Sequence, residues 1–402
     1  MYMTTEIDSL FVSMVLGEAC SEAKLKDIVL NANEPALLDI FNSVRIINML
    51  RRAGFYGREV GAHFNKALFN ELTAVFSSAK DYKQEKISNY TTWLKKMDTL
   101  FMTFDFSYYD HEINKMIFKR NQFAKSYSHN NFTELLAFVQ NSECGYNNDQ
   151  INALYIRELR GANYLSQNTI NLDMVPISTI KTLLANILYK YKIPIDLSEC
   201  NVIVSSNGPP RFIYHIKDNT TSLYLCETSD ISSAFHEFGH YIHHRIIGNS
   251  TFKSSKIGSV IISEIFAVLF EMLSCAHYLG NSSSVHAHYS WQACWFKALS
   301  DFECKLYTET ASRHSFFTDC LIENFTGSYD GHAYYNRMWL TQTHIFSSPG
   351  YCYYYYIALV VAINLFTKMT SKDCITYSIH KLFVGNSELN SIRLIDKLMN
   401  IK

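Results

Sequence analysis

The stretch ISSAFHEFGHYIHHRII, residues Ile231–Ile247, places apolar side chains three and four positions apart, a spacing that predicts an amphipathic helix. Ile231, Ala234, Phe235, Phe238, Ile242 and Ile246 form its buried stripe, and Asp230 or Ser229 is placed to cap its N-terminus. His236 and His240 stand four residues apart, so at about 3.6 residues per turn both imidazoles leave one face and can meet on one ion. Glu237 lies about 100° round the same helix, within reach of a water held between them. Burial of the apolar stripe turns the two histidines toward a cleft.

Downstream, an apolar run predicts a helix over Ile257–Leu279 that nevertheless contains Glu264 and Glu271, seven residues and about two turns apart. An unpaired carboxylate in such surroundings costs several kcal/mol, so both acids need partners, and a cation is the obvious one. Two histidines and one carboxylate leave a fourth tetrahedral position open, the arrangement of a catalytic zinc site. Glu264 is the expected third ligand. Glu271 is expected to accept the other ring N–H of a ligand histidine, although it could instead bind the metal. His243 lies near the same face but too far along the helix to join the ligands, which leaves it a supporting role.

The remainder of the chain reads as mainly α. Gly (15) and Pro (6) are few while aromatic residues reach 14%, a composition that favours long helices with large side chains between them. Residues 1–195 form a helical N-terminal region in which no chemistry is visible, and His63, His111 and His129 each stand alone. Arg211–Ile216 and Ser222–Cys226 flank the turn-like Lys217–Thr220 and predict a hairpin just before the histidine helix, with Asn201–Ser205 as a further extended segment. Further helices are expected over Val285–Thr308, Tyr351–Met369 and Leu389–Met399.

With 48% hydrophobic and 18% charged residues among 402, disorder is excluded. Lys+Arg (36) nearly balance Asp+Glu (37) without charge runs, so there is no footprint for nucleic acid or an anionic membrane. The ten cysteines form no C-x-x-C pair. The opening MYMTTEIDSLF lacks the basic start of a secretory signal, and the apolar segments Val260–Ala276 and Tyr351–Phe366 fall short of the roughly 20 residues of a spanning helix, which together predict a cytoplasmic location.

HEFGHYIH, followed by Ser263-Glu264-Ile265 and a second acid at Glu271, resembles the thimet oligopeptidase, neurolysin and oligoendopeptidase F family of zinc peptidases. A third block is similar too: His344 follows Trp339 and precedes the run Tyr351, Tyr353, Tyr354, Tyr355, Tyr356. The resemblance covers residues 196–402, the expected catalytic region. It implies a helical shell around a deep substrate channel and one Zn2+ per chain on His236, His240 and Glu264. It also implies that His344, Tyr353 and Tyr356 contact the substrate carbonyl. The expected function is a zinc metalloendopeptidase, an oligopeptidase that hydrolyses short unstructured peptides with Glu237 as general base. A maturation protease for one cognate peptide, a zinc amidohydrolase of another amide, and a non-catalytic peptide-binding relative are the competing functions, and an intact Glu237 argues against the last.

Overall fold

The computed structural model describes residues 2–15, 20–32, 35–76, 81, 85, 88–144, 148–163, 170, 174–190, 193, 195–204, 210–215, 218, 220–247, 260–308, 313–326 and 333–370. The expected helix at Leu389–Met399 and part of the Lys217–Thr220 turn lie outside them, as do the side chain of Ile246 and the start of the helix expected from Ile257.

The N-terminal half is helical, as its periodicity predicts: α1 (Tyr2–Val15), α2 (Cys20–Ala32), α3 (Pro35–Val75), α4 (Tyr90–Thr103), α5 (Ser107–Ser126), α6 (Phe132–Cys144), α7 (Asn148–Glu158) and α8 (Ile177–Lys190). Local chemistry sets the ends of several. Pro35 occupies the first position of α3, where a missing N–H costs nothing, and the Asn89 side chain accepts from Thr92 N to cap α4.

Before α8 lie two minimal strands, β1 (Ala162–Asn163) and β2 (Met174–Pro176), and after it β3 (Val202–Val204), β4 (Arg211–His215), β5 (Thr220–Leu225) and β6 (Thr228–Asp230). β4 and β5 form the expected antiparallel hairpin, and β3 adds to β5 in parallel, so the sheet runs β3-β5-β4 with β4 on an edge. β2 pairs with β6, and β1 with the later β7 (Phe325–Thr326). Strands of two or three residues are too short for a period-2 pattern, which is why the sequence does not announce them.

The C-terminal half then continues as α9 (Ile231–Ile247), α10 (Val260–Leu279), α11 (Ser282–Leu306), α12 (Arg313–Asn324), α13 (Ala333–Arg337), α14 (Thr343–Ser347) and α15 (Tyr351–Thr370). α10 and α15 are each 20 residues long, so the expectation that they fall short of a spanning length is corrected. By length and composition both could cross a membrane; 78% of each apolar window is buried inside the molecule, where α9, α10, α11 and α15 pack on one another. One hydrophobic cluster extends from Ile46 to Met369 and so joins residues of both halves, while a smaller one holds α1, α2 and the start of α3 together.

Candidate metal centre

Three features aim the histidine face of α9. Asp230 caps the helix, its carboxylate accepting from Ser232 N, Ser233 N and Ser233 Oγ. Ile231, Ala234, Phe235, Phe238 and Ile242 are buried, as the apolar stripe predicts. Gly239 lets α10 approach closely, because a Cβ there would sit 2.5 Å from Ala267 Cα. The close crossing brings the acids of α10 up to the opposite, histidine-bearing face.

His236, His240 and Glu264 each offer one donor atom, all within 4.8 Å of one another. Glu264 Oε2 lies 3.4 Å from His236 Nε2, and Oε1 lies 3.7 Å from His240 Nε2. The two Nδ1 atoms have other partners: Glu271 Oε2 at 3.1 Å from His236, and Ser263 Oγ at 2.9 Å from His240. Both Nε2 atoms thus turn to Glu264. Glu264 Oε2 is buried without a hydrogen-bond partner of proper geometry among the described residues. That orphaned oxygen, beside two inward nitrogens, fits a divalent cation.

The electrostatics follow from burial and from these neighbours. Burial holds the His240 imidazole down to about 4, favouring its neutral form. Burial opposes charge on His236 too, but the bonds to Glu264 and Glu271 prevail and raise it well above the usual range. Burial would raise Glu264, yet His240 and His236 outweigh it and bring the carboxyl to about 2. Glu237 is different: burial pushes it up to about 7, against the His236 charge and the backbone N–H of Phe212, which donates to Glu237 Oε2 at 2.6 Å. A carboxylate poised near neutrality beside this cluster can exchange a proton at working pH.

His344, on α14, is brought to the cluster. Its ring stacks on Tyr351 at 4.3 Å, Tyr351 stacks on Tyr355 at 5.9 Å, and Tyr355 lies 6.0 Å from His236. Burial and the nearby Glu264 charge together raise the Tyr351 hydroxyl well above its usual range. Tyr353 and Tyr356, the tyrosines expected at the substrate carbonyl, pack on other partners. Tyr356 donates to Asn152 Oδ1 at 2.9 Å and packs edge-on against Tyr155, while Tyr353 is buried against Tyr354 and Tyr356. Helix phase is the reason: Tyr351 and Tyr355 are four apart on one face, and positions 353 and 356 are on another. His243 likewise stacks on Phe266 at 4.8 Å, and His244 packs on Tyr214 at 4.4 Å.

Sequence reasoning missed Ser263, Ser232 and Tyr289. Ser232 Oγ donates to Glu271 Oε1, and burial together with the Glu271 charge raises the Tyr289 hydroxyl well above its usual range. The apolar run had implied that Glu271 needs partners but could not name them.

No protein-family model matches this sequence, and no curated protein does. Solved structures do match. Pz peptidase A with an inhibitor superposes with a TM-score of 0.59 at 13% identity, over 100% of this chain and 82% of that one. A structure provisionally assigned to oligoendopeptidase F gives the same values, and another such assignment, from Bacillus anthracis, gives 0.51 at 12% identity over 99% and 76%. The chain therefore has the fold of these helical peptidases. The likeness spans residues 1–195 as well, where no motif is visible.

Proposed function

We propose that the chain is a metal-dependent peptide hydrolase, and in particular a zinc metalloendopeptidase that cleaves short unstructured peptides. The convergence of His236 Nε2, His240 Nε2 and Glu264 within 4.8 Å, with Glu237 beside them, carries this reading. A divalent ion on those three residues supplies Lewis acidity toward the scissile carbonyl and toward water. The peptidase fold supports the bond type.

The residues then divide the work. Glu237 takes a proton from the attacking water and returns it to the leaving amine, a role suited to a carboxyl raised to about 7. Phe212 N–H holds Glu237 from the edge of β4. Because Phe212 pairs with Leu223, whose own N–H turns to Asn201 on the far side, Phe212 and Tyr214 present backbone groups outward. An extended peptide can pair with that edge in a register that demands no single side chain. His344, Tyr351 and Tyr355 are the donors at hand for the oxyanion, replacing the tyrosines expected from spacing.

Digestion of a defined peptide library, with and without a chelator and read by mass spectrometry, tests the proposal. Chelator-sensitive cleavage at internal bonds of short peptides is expected. Cleavage that persists with the chelator, or none with zinc restored, would exclude it.

A further inference from the structure

Gly54, Gly57 and Gly61 of α3 fall on one helix face, and all three meet α14, the short helix that carries His344. A Cβ at Gly54 would overlap the Ser347 carbonyl, one at Gly57 the Phe346 carbonyl, and one at Gly61 would stand 2.8 Å from Phe346 Cβ. Three glycines inside a helix weaken it, so the close approach they permit is what they contribute.

Arg120 of α5 sits at the same junction, fully buried. Its Nε donates to Ala53 O at 3.1 Å, Nη1 to Tyr307 Oη at 2.6 Å and Ile345 O at 2.8 Å, and Nη2 to Phe346 O. Ile345 and Phe346 lie at the C-terminal end of α14, where carbonyls lack helical partners and a cation is favoured. Glu303 of α11 grips the other end of the connection, both carboxylate oxygens accepting from Gly350 N at 3.0 and 3.1 Å, where the chain turns with φ +82°. Burial raises the Glu303 carboxyl to about 7, and the Arg120 charge opposes that rise.

The grip closes just inside two side chains of the candidate centre. His344 directly precedes Ile345, and Tyr351 directly follows Gly350. We propose that Arg120, seated against the glycine face of α3, is a positioning residue that sets residues 344–351 so that His344 and Tyr351 stack toward Tyr355 and His236. The N-terminal half thereby acts on the chemistry through α14 and the turn that follows it. The effect on rate rests on the peptidase reading; the effect on backbone order does not.

The test compares the zinc-loaded wild type with Arg120→Met, Arg120→Lys and Gly57→Ala, the last retaining the arginine but pressing on its Nη2, on Met116 Sδ and on the Phe346 carbonyl at once. Three quantities are read: zinc per chain, amide hydrogen exchange by mass spectrometry, and steady-state kinetics on one peptide. Expected for Arg120→Met and Gly57→Ala are unchanged zinc, faster exchange confined to residues 343–351, and a kcat lower by about 10- to 100-fold with KM little altered, the effect of an ångström-scale misplacement. Arg120→Lys should restore part of the rate, and in a Tyr351→Phe background Arg120→Met should cost less than it does alone, the remainder acting through His344. A uniform rise in exchange that includes α9 and α10 would mean that Arg120 merely stabilises the fold, and rate losses that multiply in full in the double variant would mean that it does not act through Tyr351; either overturns the proposal. If Arg120→Met does not fold, Gly57→Ala decides the matter. If the wild type cleaves no peptide, the peptidase reading fails while the exchange data still decide for or against the positioning.

Discussion

His236 Nδ1 lies 3.1 Å from Glu271 Oε2, and this single bond determines which nitrogen of His236 can face Glu264. With Nδ1–H donating to Glu271, Nε2 is the nitrogen whose lone pair a cation would take, once it displaces the second proton that Glu264 favours on the ring. Ser263 does the same for His240 at 2.9 Å. Such partners fix tautomer and ring orientation together.

Glu271→Ala should therefore weaken zinc binding by about 10- to 100-fold without abolishing it, the usual cost of losing an orienting carboxylate. His236→Ala and Glu264→Ala should abolish it. Competition against a chromophoric chelator measures all three, and undiminished affinity in either of the last two would remove that residue from the ligand set.

Glu237→Gln should bind zinc as the wild type does and lose hydrolysis by several orders of magnitude, because an amide cannot take the proton. The wild-type rate should fall on the acid side as Glu237 becomes protonated near pH 7. A variant that kept its activity would end the general-base role, and one that lost its zinc would make Glu237 a ligand.

The tyrosines offer a sharper comparison. Tyr351→Phe or Tyr355→Phe should lower kcat by about 100-fold with little change in KM, the typical loss of one oxyanion donor. Tyr356→Phe should leave kcat alone and cost about 1 kcal/mol of stability through the lost bond to Asn152. Kinetics beside melting temperatures separate the two classes, and the reverse pattern would restore Tyr353 and Tyr356 to the site.

That comparison marks where the sequence stops being legible. The α9 stripe, the histidine pair and the two acids of α10 could be read, because a polar residue in an apolar helix stands out and has to be explained. On α15 the signal disappears: Cys352, Tyr356, Leu359, Val360 and Ile363 are buried along with nearly every neighbour, so hydrophobicity does not reveal which face meets the cluster. Arg120 was equally hidden, since a lone arginine in a polar helix looks solvated until the fold buries it. Gly54, Gly57 and Gly61 show their purpose only beside α14. Gly239 is the legible counterpart, embedded in the motif itself.

Gly239→Ala should separate α9 from α10, because the new methyl group would meet Ala267 Cα at 2.5 Å and backbone cannot yield as a side chain can. A stability loss of about 1–3 kcal/mol is expected, with weaker zinc binding as Glu264 retreats from the histidines. Unfolding and metal titration of the same variant should move together; lost stability with unaltered zinc affinity would uncouple the crossing from the site.

Glu303 predicts a pH dependence that the metal cluster does not share. Burial raises its folded-state pKa to about 7, although Arg120 and the Gly350 N–H both oppose the rise. The ordinary value is 4.5, so between there and about 7 the folded protein holds a proton that the unfolded chain has released. Stability from this group is therefore complete below about 4.5 and declines as pH rises through 7, by up to roughly 3 kcal/mol for such a shift. Gln in its place cannot ionise yet still presents an oxygen to Gly350. The stability of Glu303→Gln relative to wild type should accordingly climb from pH 5 to pH 8 in urea denaturation. A difference that stays flat over that range, or falls, would mean that Arg120 keeps Glu303 ionised throughout.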